Sequence, residues 1–203
     1  MFGSRRKIIV RGERVHLLAP NRDTAADFVA FTTANKDFHQ PWVFPATDVP
    51  GYRHYLERLD STGAHGFLVA RNEDDALAGV INLNDVVLGG QRSASLGYYG
   101  TRATARRGYM TEGLALVLDQ AFGSLGLHRI EANVQPANAA SLALIAGLGF
   151  RREGFSPAFL QIDGVWCDHE RWAILENEWK QRASTFSGAD AVTRARRPLS
   201  RVV

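Results

Sequence analysis

The sequence predicts an α+β (mixed α/β) fold, in which a mostly antiparallel sheet of about seven strands is flanked by about four helices. Short alternating apolar runs separated by turn residues, such as 72–75, are typical of antiparallel strands. The segments 24–35 and 112–122 carry apolar residues at helical spacing. A strand ending at Tyr99, a helix and a strand around Ile130 follow in turn, and this crossover makes the two strands parallel.

The elements follow one another without an internal repeat. Alternating apolar positions between turns predict strands at 13–19, 66–71, 77–84, 93–99, 128–134, 158–162 and 165–175. Apolar spacing and capping residues predict helices at 24–35, 49–59, 106–122 and 139–146, with a short ending at 176–182. The segment 38–45 holds two prolines and cannot be one regular helix.

The stretch 96–150 organises the chain. After its first strand, Arg106-Arg107-Gly108 opens a helix, and a helix N-terminus presents unpaired backbone N–H groups and a positive dipole end. Such donors favour a phosphate, and the two arginines add positive charge. The pattern is equally compatible with an ordinary strand-to-helix loop.

The whole stretch 96–150 is more specific evidence for a protein family than its glycine turn alone. It contains Arg-Arg-Gly-Tyr-Met-Thr-Glu-Gly at 106–113, Gly-Leu-His-Arg-Ile-Glu-Ala-Asn-Val at 126–134 and Pro-Ala-Asn-Ala-Ala-Ser at 136–141, followed by Gly-Leu-Gly-Phe-Arg-Arg-Glu-Gly-Phe. It resembles the GNAT superfamily of N-acetyltransferases, most of all the RimJ/RimL branch, over roughly residues 10–180. The resemblance implies acetyl-CoA as donor, direct attack by an amine, and two splayed parallel strands whose gap admits the pantetheine arm.

The resemblance also implies a set of donor-binding residues. They are Tyr98, Tyr99, Gly100, Thr101, Arg106, Arg107, Gly108, Tyr109, Met110, Thr111, Asn138 and Ser141. In the turn motif of the family, Ala103 and Arg106 stand at the first two marked positions, and only Gly108 keeps the family residue. The backbone donors are expected to survive if Arg106 keeps a negative φ.

Ser141 is the candidate proton donor to the sulfur of CoA, as the resemblance to the RimJ/RimL pattern implies. It lies one turn past Asn138 and shares a helix face with it. Ile145 stands where many members of the family have a tyrosine, which leaves Ser141 the better candidate. Alternatively, Ser141 is a plain helix-face serine, and Asn138 is in either case a good N-cap.

Glu131 is the first candidate for the catalytic base. Glu131, Asn133 and Gln135 alternate to one polar face of their strand, and no basic partner is expected for Glu131 from the adjacent sequence. Glu112, in the first turn of its helix, is interpreted as a complement to the helix dipole. The residues 168–170, Asp-His-Glu, are interpreted as structural or groove-lining.

The acceptor side rests on less evidence. Trp42 and Phe44 line the acceptor groove by resemblance, or else are plain core aromatics. Proton energetics favour an α-amine over lysine, so the predicted partner is a protein or peptide N-terminus, such as that of a ribosomal protein. The alternatives are a small-molecule amine or antibiotic acetyltransferase, and a catalytically degenerate acetyl-CoA-binding or ribosome-associated module.

Composition predicts one domain at 10–182 with a basic extension at 1–9 and an arginine-rich, disordered tail at 183–203. The ends carry +4 over 1–11 and +3 over 183–203, whereas 12–182 carry −4. The acidic body suits a basic peptide, and the basic ends are either RNA contacts or solvated tails. Cys167 is the single cysteine, no zinc-site spacing occurs, and no apolar run suits a membrane span. A cytoplasmic chain is predicted, monomer or homodimer.

Overall fold

The structure, a computed structural model, describes residues 6–186. Within them lie eight strands: β1 Ile8–Arg11, β2 Val15–Leu18, β3 His65–Arg71, β4 Leu77–Val87, β5 Ser93–Gly100, β6 Arg129–Val134, β7 Arg151–Ile162 and β8 Val165–Leu175. The α-helices of the same region are α1 Ala25–Ala34, α2 Lys36–His39, α3 Val49–Thr62, α4 Tyr109–Phe122, α5 Ala139–Leu148 and α6 Glu176–Phe186. None of the helices described is long and apolar enough to cross a bilayer.

Local sequence signals explain where the helices begin and end. The carboxylate of Asp48 accepts a hydrogen bond from the Gly51 N–H at 2.7 Å and so caps α3, whose first turn tolerates Pro50. Gly63 ends that helix with φ 67°, and Gly149 ends α5 with φ 94°, left-handed conformations that glycine adopts without a side-chain clash.

The sheet has the order β1-β2-β3-β4-β5-β6-β8-β7, and β5 with β6 is its parallel pair. Their pairing runs from Ser93 opposite Arg129 to Leu96 opposite Ala132 and then stops. Beyond that level β5 stays paired with β4 up to Gly100, and β6 stays paired with β8 up to Val134. The two halves of the sheet therefore diverge at one end, which confirms the predicted fold and its splayed pair.

Helices cover the sheet on both faces and bury a core on each. In the larger core, Leu114 and Val117 of α4 lie with Ile145 of α5 against the sheet. The smaller core joins Phe28 of α1 and Tyr52 of α3 to the opposite face. With both faces covered, the splayed end of β5 and β6 is where the sheet itself opens.

Four details of the described elements were not predicted. An eighth strand, β1, begins inside the proposed 1–9 extension, and Arg6 just before it forms an ion pair with Asp27 at 2.6 Å. The short helix α2 precedes the first proline, and β7 starts at Arg151 rather than at 158. Helix α6 extends to Phe186, past the proposed boundary at 182. Residues 1–5 and 187–203, which carry the rest of the proposed extension and tail, lie outside the described residues.

Candidate functional site

The divergence of β5 and β6 adjoins two neighbouring clefts. The first, of about 730 Å³, is lined by the end of β5, the turn before α4, the first turns of α5 and the segment 38–43. The second, of about 700 Å³, is lined by the polar face of β6, the end of β4 and the β7–β8 hairpin. Five residues line both clefts: Trp42, Val43, Tyr98, Asn138 and Ser141.

The turn before α4 presents unpaired backbone donors to the first cleft. Gly108, with φ 84°, precedes the helix, and the first helix-type bond runs from the Glu112 N–H to the Gly108 carbonyl at 3.0 Å. Within residues 6–186, the N–H groups of 109–111 have no hydrogen-bond partner. They remain available to an anion, as the sequence predicts.

Arg106 differs from the expectation for this turn. Its φ is 63°, a left-handed conformation, so the negative φ under which the backbone donors are expected to survive is not adopted. The first N–H groups of the helix are free all the same, because Gly108 is also left-handed and this second reversal directs the chain into the helix.

Arg14 holds the same turn from outside the cleft. Its guanidinium donates to the Arg107 carbonyl at 2.7 Å and lies over the ring of Tyr109, 4.2 Å from the centroid. The carboxylate of Glu112 accepts from the backbone N–H of Arg14 at 2.8 Å and of Val15 at 3.3 Å. Glu112 therefore ties α4 to β2, a contact that the dipole interpretation did not include.

Tyr98 and Ser141 form a hydrogen-bonded hydroxyl pair where the two clefts meet. Their oxygens are 2.5 Å apart, and Asn138 fixes the backbone beneath them by accepting from the Ser141 N–H at 3.1 Å. Burial raises the pKa of Tyr98 to about 12, and the bond to Ser141 opposes that rise. Ile145 lies fully buried in the core, so the tyrosine hydroxyl of this site comes from β5 and not from α5.

Glu131 lines the second cleft together with Asn133 and Gln135, on the polar face that their alternation predicts. It is not free of basic partners, however: Arg129 donates from Nε to its Oε1 at 2.7 Å. The sequence expectation was wrong because two residues on one strand face are neighbours, and Arg129 is two residues before Glu131.

The remaining predicted residues are divided between the cleft lining and its supports. Tyr99, Gly100, Thr101, Arg106, Gly108, Met110, Thr111 and Trp42 all line the first cleft. The Thr101 hydroxyl donates to Asn35 Oδ1 at 2.7 Å, which fastens the end of β5 to α1. Arg107 and Tyr109 are not in the lining, and Phe44, 42% exposed, lines neither cleft.

His39 is a residue of the first cleft that sequence reasoning did not single out. It is 3% exposed, its Nε2 donates to the Gly100 carbonyl at 2.8 Å, and its ring meets Tyr99 edge-on with centroids 5.0 Å apart. Burial lowers the pKa of His39, although the bond to Gly100 opposes this. The available signal was its place in the aromatic segment 38–45, two residues before Pro41.

Comparisons with known proteins agree with this geometry. A family model described as "Acetyltransferase (GNAT) domain" matches residues 14–151, a range that includes Tyr98, Gly108 and Ser141. The probable N-acetyltransferase YjcK of Bacillus subtilis is 32% identical over 181 residues, covering 85% of this chain and 100% of that protein. The ribosomal protein uS5-alanine N-acetyltransferase of Escherichia coli is 30% identical, covering 88% of this chain and 98% of that one.

A solved structure with a CoA-derived ligand shares the fold. RimJ of Mycobacterium smegmatis, in complex with CoA-disulfide, has a TM-score of 0.75 to this chain at 28% identity. The likeness covers 84% of this chain and 88% of that one.

Proposed function

The chain belongs to the GNAT acetyltransferase family, and we propose that it acetylates the N-terminal α-amine of a protein or peptide, of the kind that a ribosomal protein presents. It is an N-acyltransferase with acetyl-CoA as donor. The observation that carries the proposal is the meeting of two clefts at the hydroxyl pair of Tyr98 and Ser141. Direct transfer needs donor and amine bound side by side, and two adjoining clefts provide for that.

The residues of the first cleft fit acetyl-CoA. The free N–H groups of 109–111 and the side chain of Arg106 suit phosphate oxygens. Beyond Leu96, β5 has no strand partner on its β6 side among residues 6–186, so its backbone groups suit the amides of a pantetheine arm. Acetyl-CoA, when bound, supplies an activated thioester, and these residues hold and orient it.

Ser141 supports the proposal as the group that protonates the departing sulfur. Its hydroxyl lies in the lining shared by the two clefts, and the Tyr98 hydroxyl beside it can replace the proton that it gives away. Because the pKa of Tyr98 is raised to about 12, this hydroxyl stays protonated at neutral pH.

Proton energetics select the acceptor. Only a neutral amine attacks, and at pH 7 deprotonating an ordinary lysine, with a pKa of about 10.4, costs roughly 4.6 kcal/mol. An α-amine, with a pKa of about 7.7–8.0, costs only about 1.0–1.4 kcal/mol. Of the carboxylates that line the second cleft, Glu131 forms a salt bridge with Arg129. The free-energy cost of deprotonating an α-amine is small enough for a carboxylate base, without a metal. Glu131 stays the predicted carboxylate base, acting directly or through a water.

Two further features support a protein N-terminus with a small first residue and basic residues after it. The uS5-alanine acetyltransferase named above acts, by its name, on an alanine of a ribosomal protein. The body of this chain, 12–182, carries a net charge of −4, which attracts a basic peptide.

Mass spectrometry on peptides that carry both amines tests the proposal. An alanine-first peptide with an internal lysine and basic following residues is compared with the same peptide blocked at its N-terminus, and with spermidine. We expect one acetyl group, on the α-amine, and little turnover of the blocked peptide or of spermidine. Predominant lysine or polyamine acetylation would contradict the proposed acceptor and leave the donor assignment intact.

A further inference from the structure

His169 of β8 lines the second cleft beside the polar face of β6. Alternation along β8 turns it to the face opposite Glu170, the same face as Asn133 and Gln135 on the neighbouring strand. Its exposed fraction is only 3%, so this imidazole meets solvent chiefly through the cleft that it lines.

The hydrogen bonding of His169 sets which nitrogen is free. Its Nδ1 lies 2.9 Å from the Cys167 carbonyl, and since a carbonyl can only accept, Nδ1 carries the hydrogen. Within residues 6–186, Nε2 has no hydrogen-bond partner, so it is the nitrogen that a ligand in the cleft can reach. Phe159, another lining residue, holds the ring edge-on with centroids 5.9 Å apart.

The register of the sheet separates His169 from Glu131. Glu131 is opposite Ser95, inside the segment where β5 and β6 are still paired. His169 lies one residue beyond the Val134–Glu170 pair, past the level at which that pairing stops. Of these two groups, His169 is the one at the open end of the sheet, towards Tyr98.

The charged groups around this ring are engaged elsewhere or stand at the margin of the cleft. They are Glu131 with Arg129, Glu170 with Arg152 at 3.0 Å, Asp168 accepting from the Ala158 N–H, Arg58 donating to Asn84, the exposed Asp85, and the exposed Arg171, two residues along the same face of β8. None of the ion pairs among them includes His169. Nε2 of His169 is therefore the imidazole nitrogen left open to a ligand in this cleft.

We propose that Nε2 of His169, rather than Glu131, takes the proton from the acceptor amine, directly or through one water. This rests on the proposed acetyl transfer. His169 removes one proton from the ammonium group and frees the nitrogen lone pair. A bond then forms between that nitrogen and the acetyl carbon while the bond from this carbon to sulfur breaks. The sulfur takes a proton from Ser141, and the surplus proton on the nitrogen passes through solvent to restore the hydroxyl pair of Ser141 and Tyr98. His169 later releases its own proton to water, which is the one proton that the reaction sets free.

The test compares H169N with E131Q and a control. Asparagine can keep the donor to the Cys167 carbonyl and lacks a nitrogen lone pair, and H54N replaces an exposed histidine of α3. Each rate is measured with whichever amine of the acceptor panel the wild type acetylates fastest. We expect H169N to lower kcat/KM by roughly 100-fold at pH 7, with a smaller loss at high pH and partial rescue by added imidazole. We expect H54N to stay near wild type, and E131Q to lose much less activity than H169N at pH 7, with no recovery at high pH.

Two controls distinguish the loss of a catalytic base from damage to the donor site or to folding. They are the affinity for acetyl-CoA, measured by calorimetry, and the melting temperature. H169N should keep both, and H169Q serves in its place if H169N does not fold. Wild-type rates for the histidine variant at pH 7, or an equal loss at every pH, would overturn the assignment. A wild type that prefers lysine would instead contradict the proposed acceptor without affecting this comparison.

Discussion

The two clefts differ in the chemical groups that line them. The first is made largely of backbone groups, small residues and neutral side chains, with Gly108, the free amides of 109–111 and the Tyr98–Ser141 pair at its two ends. The lining of the second includes the charged side chains of Arg58, Asp85 and Glu131 and several amides, and Glu131 forms an ion pair with Arg129 behind it.

The difference fits the two substrates that are proposed for them. An invariant donor can be held by backbone groups, which do not depend on the choice of side chain. A cationic acceptor needs charge and proton transfer, which only side chains supply. Changes in the first cleft should therefore affect donor affinity or the leaving group, and changes in the second should affect the pH dependence and the choice of amine.

Among the residues that line both clefts, the largest effect on the rate of acetyl transfer is expected for S141A. Removing the hydroxyl deprives the departing sulfur of its proton donor, so kcat should fall by roughly 100-fold. The hydrogen bonds of Ser141 within residues 6–186 are with Asn138 and Tyr98, not with the turn before α4. The affinity for acetyl-CoA should therefore change little. Single-turnover rates and calorimetry measure the two quantities.

The matched variant Y98F tests whether the pair acts as a unit. It retains Ser141 and removes the hydroxyl 2.5 Å away, so we expect a smaller loss than for S141A. The double variant should be no slower than S141A, because the two hydroxyls serve one proton transfer. Multiplicative losses would show that Tyr98 and Ser141 act independently.

A smaller effect, on binding alone, is expected for G108E. A side chain at φ 84° is strained, its Cβ would come within 3.2 Å of the Arg14 guanidinium, and its carboxylate would repel phosphates. We expect about tenfold weaker acetyl-CoA binding, equivalent to about 1.4 kcal/mol, by calorimetry.

The variant G108A carries the strain without the charge. The additional loss in G108E over G108A should shrink as salt is added, because exposed charges are screened. If both variants bind acetyl-CoA like the wild type, the turn before α4 does not belong to the donor site.

The first cleft could be predicted because its residues are close in sequence. Gly108, Asn138 and Ser141 fall in one stretch with readable turn and capping signals, and the strand that ends at Gly100 precedes it directly. What sequence could not show were the contacts across that stretch. Tyr98 and Ser141 are 43 positions apart, and no local sequence pattern indicates a hydrogen bond between them.

The second cleft was less predictable for the same reason. Arg58, Phe159 and His169 come from three separate elements, and only the tertiary fold brings them to one cleft. Strand β1 was missed on similar grounds, because its short apolar run forms a strand only when β2 is beside it. Local pattern predicts elements, whereas pairing and burial decide which side chains share a cleft.

The smallest effect is expected at the ion pairs behind the second cleft. Glu153, with a side chain 27% exposed, accepts from Arg129, which also binds Glu131, and from Arg151 at 2.7 Å. The bond from Arg129, followed by that from Arg151, lowers the pKa of Glu153 from 4.5 to about 2. The folded state thus favours the ionised carboxylate, so this stabilisation is complete above about pH 4.5 and is lost as the pH falls towards 2.

E153Q should therefore reduce the free energy of unfolding at pH 7 by about 1 kcal/mol or less, since partly exposed ion pairs contribute little. Thermal melts at pH 7 and pH 3 should show the difference from wild type narrowing in acid, while E13Q, at an exposed glutamate without an ion pair among residues 6–186, should show none. Catalysis at pH 7 should stay near wild type, because Arg129 still holds Glu131 and the proposed base, His169, is not in this network. A fall in kcat/KM with unchanged stability would instead tie the ion pairs to the chemistry and favour Glu131 as the base.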